Sequence, residues 1–150
     1  MTRFTPHITV ATVIEQDGRF LFVKECAEDR IVLNQPAGHL EMDESLIQAA
    51  IRETLEETGW DIEITSLLGI YLYTAPSNQV TYQRVCFAGR AISQRDNYSL
   101  DEGILEPVWL SREELMAQQA MWRSPMVLRS VDDYLSGTRF SLDLFKGEYS

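Results

Sequence analysis

Three glutamates at helical spacing are the residues whose types and positions most directly suggest chemistry. Glu53, Glu56 and Glu57 are three and four positions apart, which gathers side chains on one side of a helix with Cβ atoms about 5–6 Å apart. Like charges at this spacing destabilise a helix by about 0.2–0.5 kcal/mol per pair. Hard oxygen ligands on one rigid element suit Mg²⁺ or Mn²⁺. The spacing therefore favours a divalent-cation site, with a solvated acidic face as the plain alternative.

The residues around these glutamates match a known pattern. From position 38 to position 60 the sequence reads GHLEMDESLIQAAIRETLEETGW. This resembles the Nudix box, Gly-x(5)-Glu-x(7)-Arg-Glu-U-x-Glu-Glu-x-Gly-U, in which U is a bulky apolar residue. A chance match to all the fixed letters is on the order of one in a million. The fixed positions are filled by Gly38, Glu44, Arg52, Glu53, Glu56, Glu57 and Gly59, and Thr54 stands at the first U position.

The resemblance implies a role for each main residue of the box. In Nudix hydrolases the two adjacent glutamates, here Glu56 and Glu57, bind metal. The glutamate after the arginine, here Glu53, binds metal or helps to activate water. Arg52 is expected to pair with a box glutamate and orient it, with an ordinary surface ion pair as the alternative. The carbonyl of Gly38 is an expected metal ligand, and a turn that needs positive φ is the other explanation for this glycine.

A further acidic ligand is expected from a loop after the box. Many members of the family supply one shortly before a strand that contains Trp. Here the loop at 100–104 precedes Trp109 and offers Glu102 or Asp101. Glu102 is the predicted ligand and Asp101 is the alternative, because two adjacent acids leave the register open. Either residue could also be a solvated loop charge.

Substrate contacts are predicted outside the glutamate cluster. His39 could donate to a phosphate oxygen or protonate a leaving group, although a histidine that caps a loop is as common. Arg84 and Arg123 could contact phosphate or base. Tyr73 and Trp122 could stack on the organic half of the substrate, or could be core residues.

Short phrases outside the box narrow the resemblance within the family. The phrases PHITVA at 6–11, NQPAGHLE at 34–41, RSP at 123–125 and YLSG at 134–137 are similar to the bacterial phosphatase NudJ group. This similarity implies Mg²⁺-dependent release of phosphate from pyrophosphorylated pyrimidines of the thiamine pathway and from nucleoside tri- and diphosphates, with Mn²⁺ able to substitute. The alternatives are a pyrophosphohydrolase of nucleotide sugars or oxidised nucleotides, and a non-catalytic nucleotide-binding module.

The elements that position these residues follow from local patterns. Ser45 with Gln48 predicts a capping box, and Gly59 predicts a helix end near Thr58. The core side of this helix is expected to comprise Ile47, Ala50, Ile51, Thr54, Leu55 and Thr58, with the glutamates opposite. Strands are predicted at 7–15 and 20–25 around an Asp-Gly turn, near 33–36, and at 62–74, 80–92 and 106–110. Further helices are predicted at 111–120 and 125–135.

This order of elements suggests a mixed sheet between helices. We expect an α+β fold, the Nudix-type α/β/α sandwich with a mixed β-sheet, in a single domain over 1–150. The net charge is -10, which disfavours nucleic-acid binding and requires a cation at a phosphate site. No window approaches about 18 apolar residues, and Cys26 and Cys86 lack paired spacing. We therefore expect a cytoplasmic monomer or homodimer that does not bind membranes and acts on a small-molecule phosphoanhydride.

Overall fold

The structure, a computed structural model, describes residues 2–148. Within this range the chain forms seven strands, three α-helices and two short 3-10 helices. The strands are β1 His7–Gln16, β2 Arg19–Ala27, β3 Arg30–Asn34, β4 Ala37–His39, β5 Trp60–Thr74, β6 Thr81–Gln94 and β7 Ile104–Leu110. The α-helices are α1 Leu46–Thr58, α2 Arg112–Met116 and α3 Met126–Leu135, and the 3-10 helices are Gln119–Met121 and Leu142–Leu144.

The first hairpin joins the two halves of the sheet. Asp17 and Gly18 have φ values of 54° and 82°, as a two-residue hairpin turn with matching twist requires. The predicted antiparallel pairing is present only next to this turn, at Glu15–Phe20 and Gln16–Arg19. Beyond it, β1 pairs with β4 and, in parallel, with β6, whereas β2 pairs with β3 and β7. The sheet is therefore mixed, with halves β4-β1-β6-β5 and β3-β2-β7.

Helices cover both faces of this sheet. On one face α1 contributes Ala49 and Ala50 to a core with Val10, Ile14, Leu21, Val85 and Phe87. On the other face α2 and α3 contribute Leu115, Val127 and Val131 to a core with Phe22, Leu33 and Leu68. The predicted α/β/α sandwich is confirmed. No helix within residues 2–148 combines the length and apolar character needed to cross a membrane.

Helix α1 has the predicted ends. Ser45 accepts a hydrogen bond from the Gln48 N–H, the Gln48 side chain accepts one from the Ser45 N–H, and Gly59 closes the helix at a φ of 76°. The expected division into a core side and an acidic side is wrong at two positions, because Glu57 is 7% exposed and Ala49, outside the expected core set, is fully buried. Glu57 lies seven residues after Ala50, which is within about 20° of the same direction on a helix of 3.6 residues per turn.

The region after β7 also differs from the prediction. Helix α2 ends at Met116 rather than near residue 120, and a 3-10 turn follows. The Leu115 carbonyl accepts hydrogen bonds from the Gln118 N–H and from the indole N–H of Trp122. These bonds tighten the chain at the end of the helix. As a result, Trp122 is held close to α2 and its ring position is fixed.

Candidate active site

Three carboxylates converge at the C-terminal half of α1. Oxygens of Glu53, Glu56 and Asp101 lie within 4.8 Å of one another. We call these three residues the carboxylate cluster. The loop that carries Asp101 is anchored to the helix, because the Asp101 N–H donates to the Glu56 carbonyl at 3.1 Å.

Asp101, and not Glu102, is the loop acid that the structure brings to the cluster. Glu102 is exposed and is not a member of this group. The reason is the backbone bond to the Glu56 carbonyl, together with the bond from the Ile104 N–H to the Asp101 carbonyl at 3.1 Å. These two bonds fix Asp101 next to the helix end. The structure thus places Asp101, the alternative left open by the sequence, with the two helix glutamates, and it places Glu102 outside that group.

Glu57 lies beside the cluster in a buried position. Its Oε1 accepts a hydrogen bond from the Ala37 N–H at 2.8 Å. Burial raises the pKa of Glu57 to about 9, and the nearby charges of Glu53, Glu25 and Asp101 add to this rise. A carboxyl in this state holds a proton at neutral pH unless a positive charge binds next to it.

Gly38 provides close contact between β4 and Glu53. A Cβ atom at Gly38 would lie 2.1 Å from the Glu53 carboxyl carbon, with both oxygens within 2.4 Å. Gly38 is a strand residue opposite Val10, and it is not among the glycines with positive φ. The glycine is therefore needed for close approach, and a turn that requires positive φ does not explain it.

Arg52 connects the cluster to the segment before the helix. Its guanidinium donates two hydrogen bonds to Glu44 at 2.8 and 3.0 Å, one to Glu53 at 2.9 Å, one to Glu56 at 3.2 Å and one to the His39 carbonyl at 3.1 Å. The hydrogen bond from Arg52 lowers the pKa of Glu44. Arg52 thus holds several carboxylates at once in a fork geometry, unlike an isolated surface ion pair.

A cavity of about 680 Å³ lies on the other side of β4, a size suited to a small organic ligand. It is lined by Gly38 and by all five residues predicted to contact substrate, His39, Tyr73, Arg84, Trp122 and Arg123. The cluster and the cavity therefore meet at β4, where Gly38 contacts Glu53 and borders the cavity.

Strand register explains the polar floor of this cavity. Thr9 is paired with both His39 and Arg84, and residues paired across adjacent strands point to the same face. Tyr82, two residues before Arg84, is paired with His7 and Tyr73 in the next row. Two rows of polar and aromatic side chains thus extend away from β4.

Sequence similarity identifies the family of this chain. Residues 4–130 match the sequence model of the NUDIX domain. The chain belongs to the Nudix family. Phosphatase NudJ of Escherichia coli K12 is 38% identical over 141 residues, which cover 94% of this chain and 91% of that protein. Phosphatase NudJ of Shigella flexneri has the same identity and coverage.

Solved structures of Nudix proteins agree with this assignment. A NUDIX hydrolase from Nitrosomonas europaea is 46% identical to this chain and superposes on it with a TM-score of 0.94. The match covers 96% of this chain and 98% of the Nitrosomonas europaea chain. A UDP-X diphosphatase is 18% identical with a TM-score of 0.73, covers 94% of this chain and 68% of its own, and shares the fold. This Nudix chain is a hydrolase that acts on phosphoanhydride bonds.

The acidic residues of this Nudix site fit a divalent cation. The donor set consists of carboxylate oxygens, which Mg²⁺ prefers and which the family generally uses for this ion. Burial raises the pKa of Glu53 and of Glu56, and the charge of Asp101 raises both further. A bound cation would favour the ionised form of each carboxyl and remove the repulsion among them.

Sequence reasoning missed two residues of the Nudix site, Tyr82, which lines the cavity, and His7, which contacts the cavity residue His39. His7 Nδ1 lies 3.0 Å from His39 Nε2, and the Tyr82 ring contacts both imidazoles edge-on. Burial, followed by the charge of His7, lowers the pKa of His39, so the His39 imidazole is neutral at pH 7. The alternation of β1 and β6 could have pointed to both missed residues, since each lies two positions before a cavity residue.

Proposed function

We propose that this Nudix hydrolase removes the terminal phosphate of an organic di- or triphosphate. The proposed substrates are pyrophosphorylated pyrimidines of the thiamine pathway and nucleoside tri- and diphosphates. The observation that carries the proposal is the junction at Gly38, where a cavity of about 680 Å³ meets the carboxylate cluster. An organic half in the cavity would place its terminal phosphate near the cluster. Similarity to phosphatase NudJ supports phosphate release.

The proposed cation site combines helix, loop and strand residues. Glu53, Glu56 and Asp101 would supply oxygen ligands from the cluster. Glu57 and the Gly38 carbonyl would complete the site from the side of β4, where the Ala37 N–H already orients Glu57. When Mg²⁺ is bound, it polarises water and neutralises charge on the phosphate oxygens. Mn²⁺ should substitute for it.

Proton transfer is assigned to Glu53. Glu53 is partly buried and its carboxylate belongs to the cluster, so it would lie beside water held by the cation and could accept its proton. Arg52 donates to Glu53 Oε1 at 2.9 Å, which fixes the direction of the carboxylate. Water attacks the terminal phosphorus while Glu53 accepts the proton, and the bridging P–O bond breaks. The electron pair of that bond remains on the bridging oxygen, so the retained ester leaves with one phosphate fewer.

The cavity residues would hold the organic half and orient its phosphates. The neutral imidazole of His39 can donate one hydrogen bond to a phosphate oxygen. Trp122 packs against the core and also lines the cavity. Its indole N–H is used by the Leu115 carbonyl at 3.0 Å, so the ring surface remains for stacking. Tyr73 borders the same space.

A labelling experiment tests which bond is cleaved. A nucleoside triphosphate in ¹⁸O-labelled water with Mg²⁺ should give the diphosphate and labelled orthophosphate before any monophosphate. The same assay in excess EDTA should give no turnover, and added Mg²⁺ or Mn²⁺ should restore it. Early pyrophosphate and monophosphate would replace this proposal with the nucleotide pyrophosphohydrolase alternative. Nucleotide binding without metal-dependent turnover would indicate a binding module.

A further inference from the structure

Arg84 is a buried arginine at the floor of the cavity. Its side chain is 8% exposed, and it lines the cavity from β6. Nη1 donates to Asn34 Oδ1 at 3.3 Å and Nη2 donates to Gln35 Oε1 at 2.5 Å. Among the described residues, 2–148, none accepts a hydrogen bond from Nε. The guanidinium is thus oriented by two neutral amides and retains unused donor capacity.

No acidic side chain within residues 2–148 pairs with this guanidinium within 4.0 Å. In contrast, Arg123 at the same cavity pairs with Glu25 at 3.4 Å. Burial raises the pKa of the adjacent Cys86 thiol and of the Tyr71 hydroxyl, so both neighbours are neutral at pH 7. Burying a charge without a counterion is costly, and neutral amides only partly offset that cost.

We infer that Arg84 determines specificity by binding an electronegative oxygen on the half of the substrate that is retained after cleavage. The inference rests on the proposed function, because it places the organic half in the cavity. The partners of Arg84, Asn34 and Gln35, lie just before β4 in the sequence. Arg84 is also separated from His39 by strand β1 in the same row of the sheet. The group that Arg84 binds therefore lies on the retained side of the anhydride bond that is cut.

Two substrate groups offer such an oxygen, the retained phosphate and a carbonyl of the organic ring. Either would give the guanidinium a charge-assisted acceptor that it lacks in the free protein. Inorganic tripolyphosphate has the phosphates without the ring, and cytidine diphosphate has both. A comparison of these two probes separates the two sources.

The test replaces Arg84 with Met, which keeps much of the volume and removes the charge, and with Lys, which keeps the charge without the fork. Arg90→Met is the matched control, since Arg90 is on the same strand but is exposed and paired with Glu63 at 3.2 Å. The readouts are kcat and KM with Mg²⁺ for both probes, calorimetric binding of cytidine monophosphate, and the unfolding temperature without ligand.

We expect Arg84→Met to raise KM for cytidine diphosphate and the Kd for cytidine monophosphate by about 10- to 100-fold. Arg84→Lys should have an intermediate effect, and Arg90→Met none. We expect only a small change in the unfolding temperature of Arg84→Met, because a buried charge is removed while Asn34 and Gln35 lose their donor. A parallel rise in KM for tripolyphosphate would assign the contact to the retained phosphate, and an unchanged value would assign it to the ring.

The results also separate this inference from the proposed function. A wild-type protein that cleaves neither probe would contradict the proposed function, and the Arg84 inference would then be decided by cytidine monophosphate binding alone. Equal affinities of wild type and Arg84→Met, or no binding by either, would overturn the inference. An unchanged KM together with a lower unfolding temperature would overturn it too, since that pattern describes a structural arginine.

Discussion

The carboxylate cluster and the cavity lie next to each other, but they depend on different features of the sequence. Glu53 and Glu56 come from one helix, and Asp101 comes from a loop bonded to that helix. The cavity floor requires three strands that are far apart in the sequence, with Thr9 of β1 between His39 and Arg84. The cluster therefore depends on local spacing, whereas the cavity depends on long-range register.

Because the two regions hold different residues, substitutions in them should affect different kinetic constants. Under the proposed function, residues of the cluster would act at the reacting phosphorus, so altering them should change kcat. Residues of the cavity would bind parts of the substrate that do not react, so altering them should mainly change KM. Substitutions in each region therefore test whether the cluster and the cavity affect kcat and KM separately.

The largest effect is expected for Glu57→Gln. This change keeps the shape of the side chain and removes a negative charge from a position 7% exposed. It should weaken Mg²⁺ binding and lower kcat by about 100-fold or more, because an ionised ligand is lost. Steady-state kinetics over a range of Mg²⁺ concentrations would measure this, with circular dichroism to verify folding. An unchanged kcat would mean that Glu57 has only a structural role.

A smaller effect should distinguish the two loop acids. Asp101→Asn removes a carboxylate from the cluster, so the Mg²⁺ concentration needed for half-maximal activity should rise about 10-fold. Glu102→Gln is the matched control, since it makes the same type of change at the adjacent exposed position. Its Mg²⁺ dependence should equal that of the wild type. If the control lost activity and Asp101→Asn did not, Glu102 would be the ligand.

Sequence patterns predicted the structure correctly where the residues that determine it are close together in the chain. The ends of α1 depend on Ser45, Gln48 and Gly59, and all three act as predicted. The sequence could not predict which of Asp101 and Glu102 lies at the cluster, because that position depends on a hydrogen bond from the loop backbone to the Glu56 carbonyl. Two adjacent acidic residues in a loop have no sequence periodicity that would indicate which of them faces the helix.

Other features were missed for different physical reasons. The burial of Glu57 could have been inferred from its seven-residue separation from Ala50. The contact of His7 with His39 depends on β4 pairing with β1, and the contact of both with Tyr82 depends on β6 pairing with β1. The sequence predicts that these strands exist, but alternation alone does not specify which strands become neighbours.

In the cavity, Tyr73→Leu should raise KM for a nucleoside diphosphate about 3- to 10-fold, with kcat nearly unchanged, because an aromatic contact of about 0.5–1.5 kcal/mol is lost. Tyr73 lines the cavity but is not part of the carboxylate cluster. Leu72→Ala on the same strand is the control, since Leu72 is 70% exposed and does not line the cavity. A large loss of kcat in Tyr73→Leu would contradict the separation of the two regions.

The last prediction concerns the pH dependence of stability, and it tests how burial acts on Glu57. Its pKa rises from 4.5 to about 9 in the folded metal-free protein. Between these values the folded state holds a proton that the unfolded chain has lost. The resulting stabilisation is fully present below the unfolded pKa and is lost as the pH rises through the folded pKa. The unfolding temperature in EDTA should therefore fall by several degrees as the pH rises through this window.

Mg²⁺ should counteract this decrease, because it binds the ionised carboxylate and replaces the proton. Its stabilising effect should therefore increase with pH. Glu57→Gln cannot ionise, so its unfolding temperature in EDTA should depend less steeply on pH than that of the wild type. The difference between the two proteins isolates Glu57 from Glu25, whose pKa is also raised by burial. Scanning calorimetry in EDTA and in Mg²⁺ gives both slopes, with Glu63→Gln as an exposed control. Equal slopes for wild type and Glu57→Gln would show that Glu57 is already ionised in the metal-free fold, and that a cation is not needed to keep its charge.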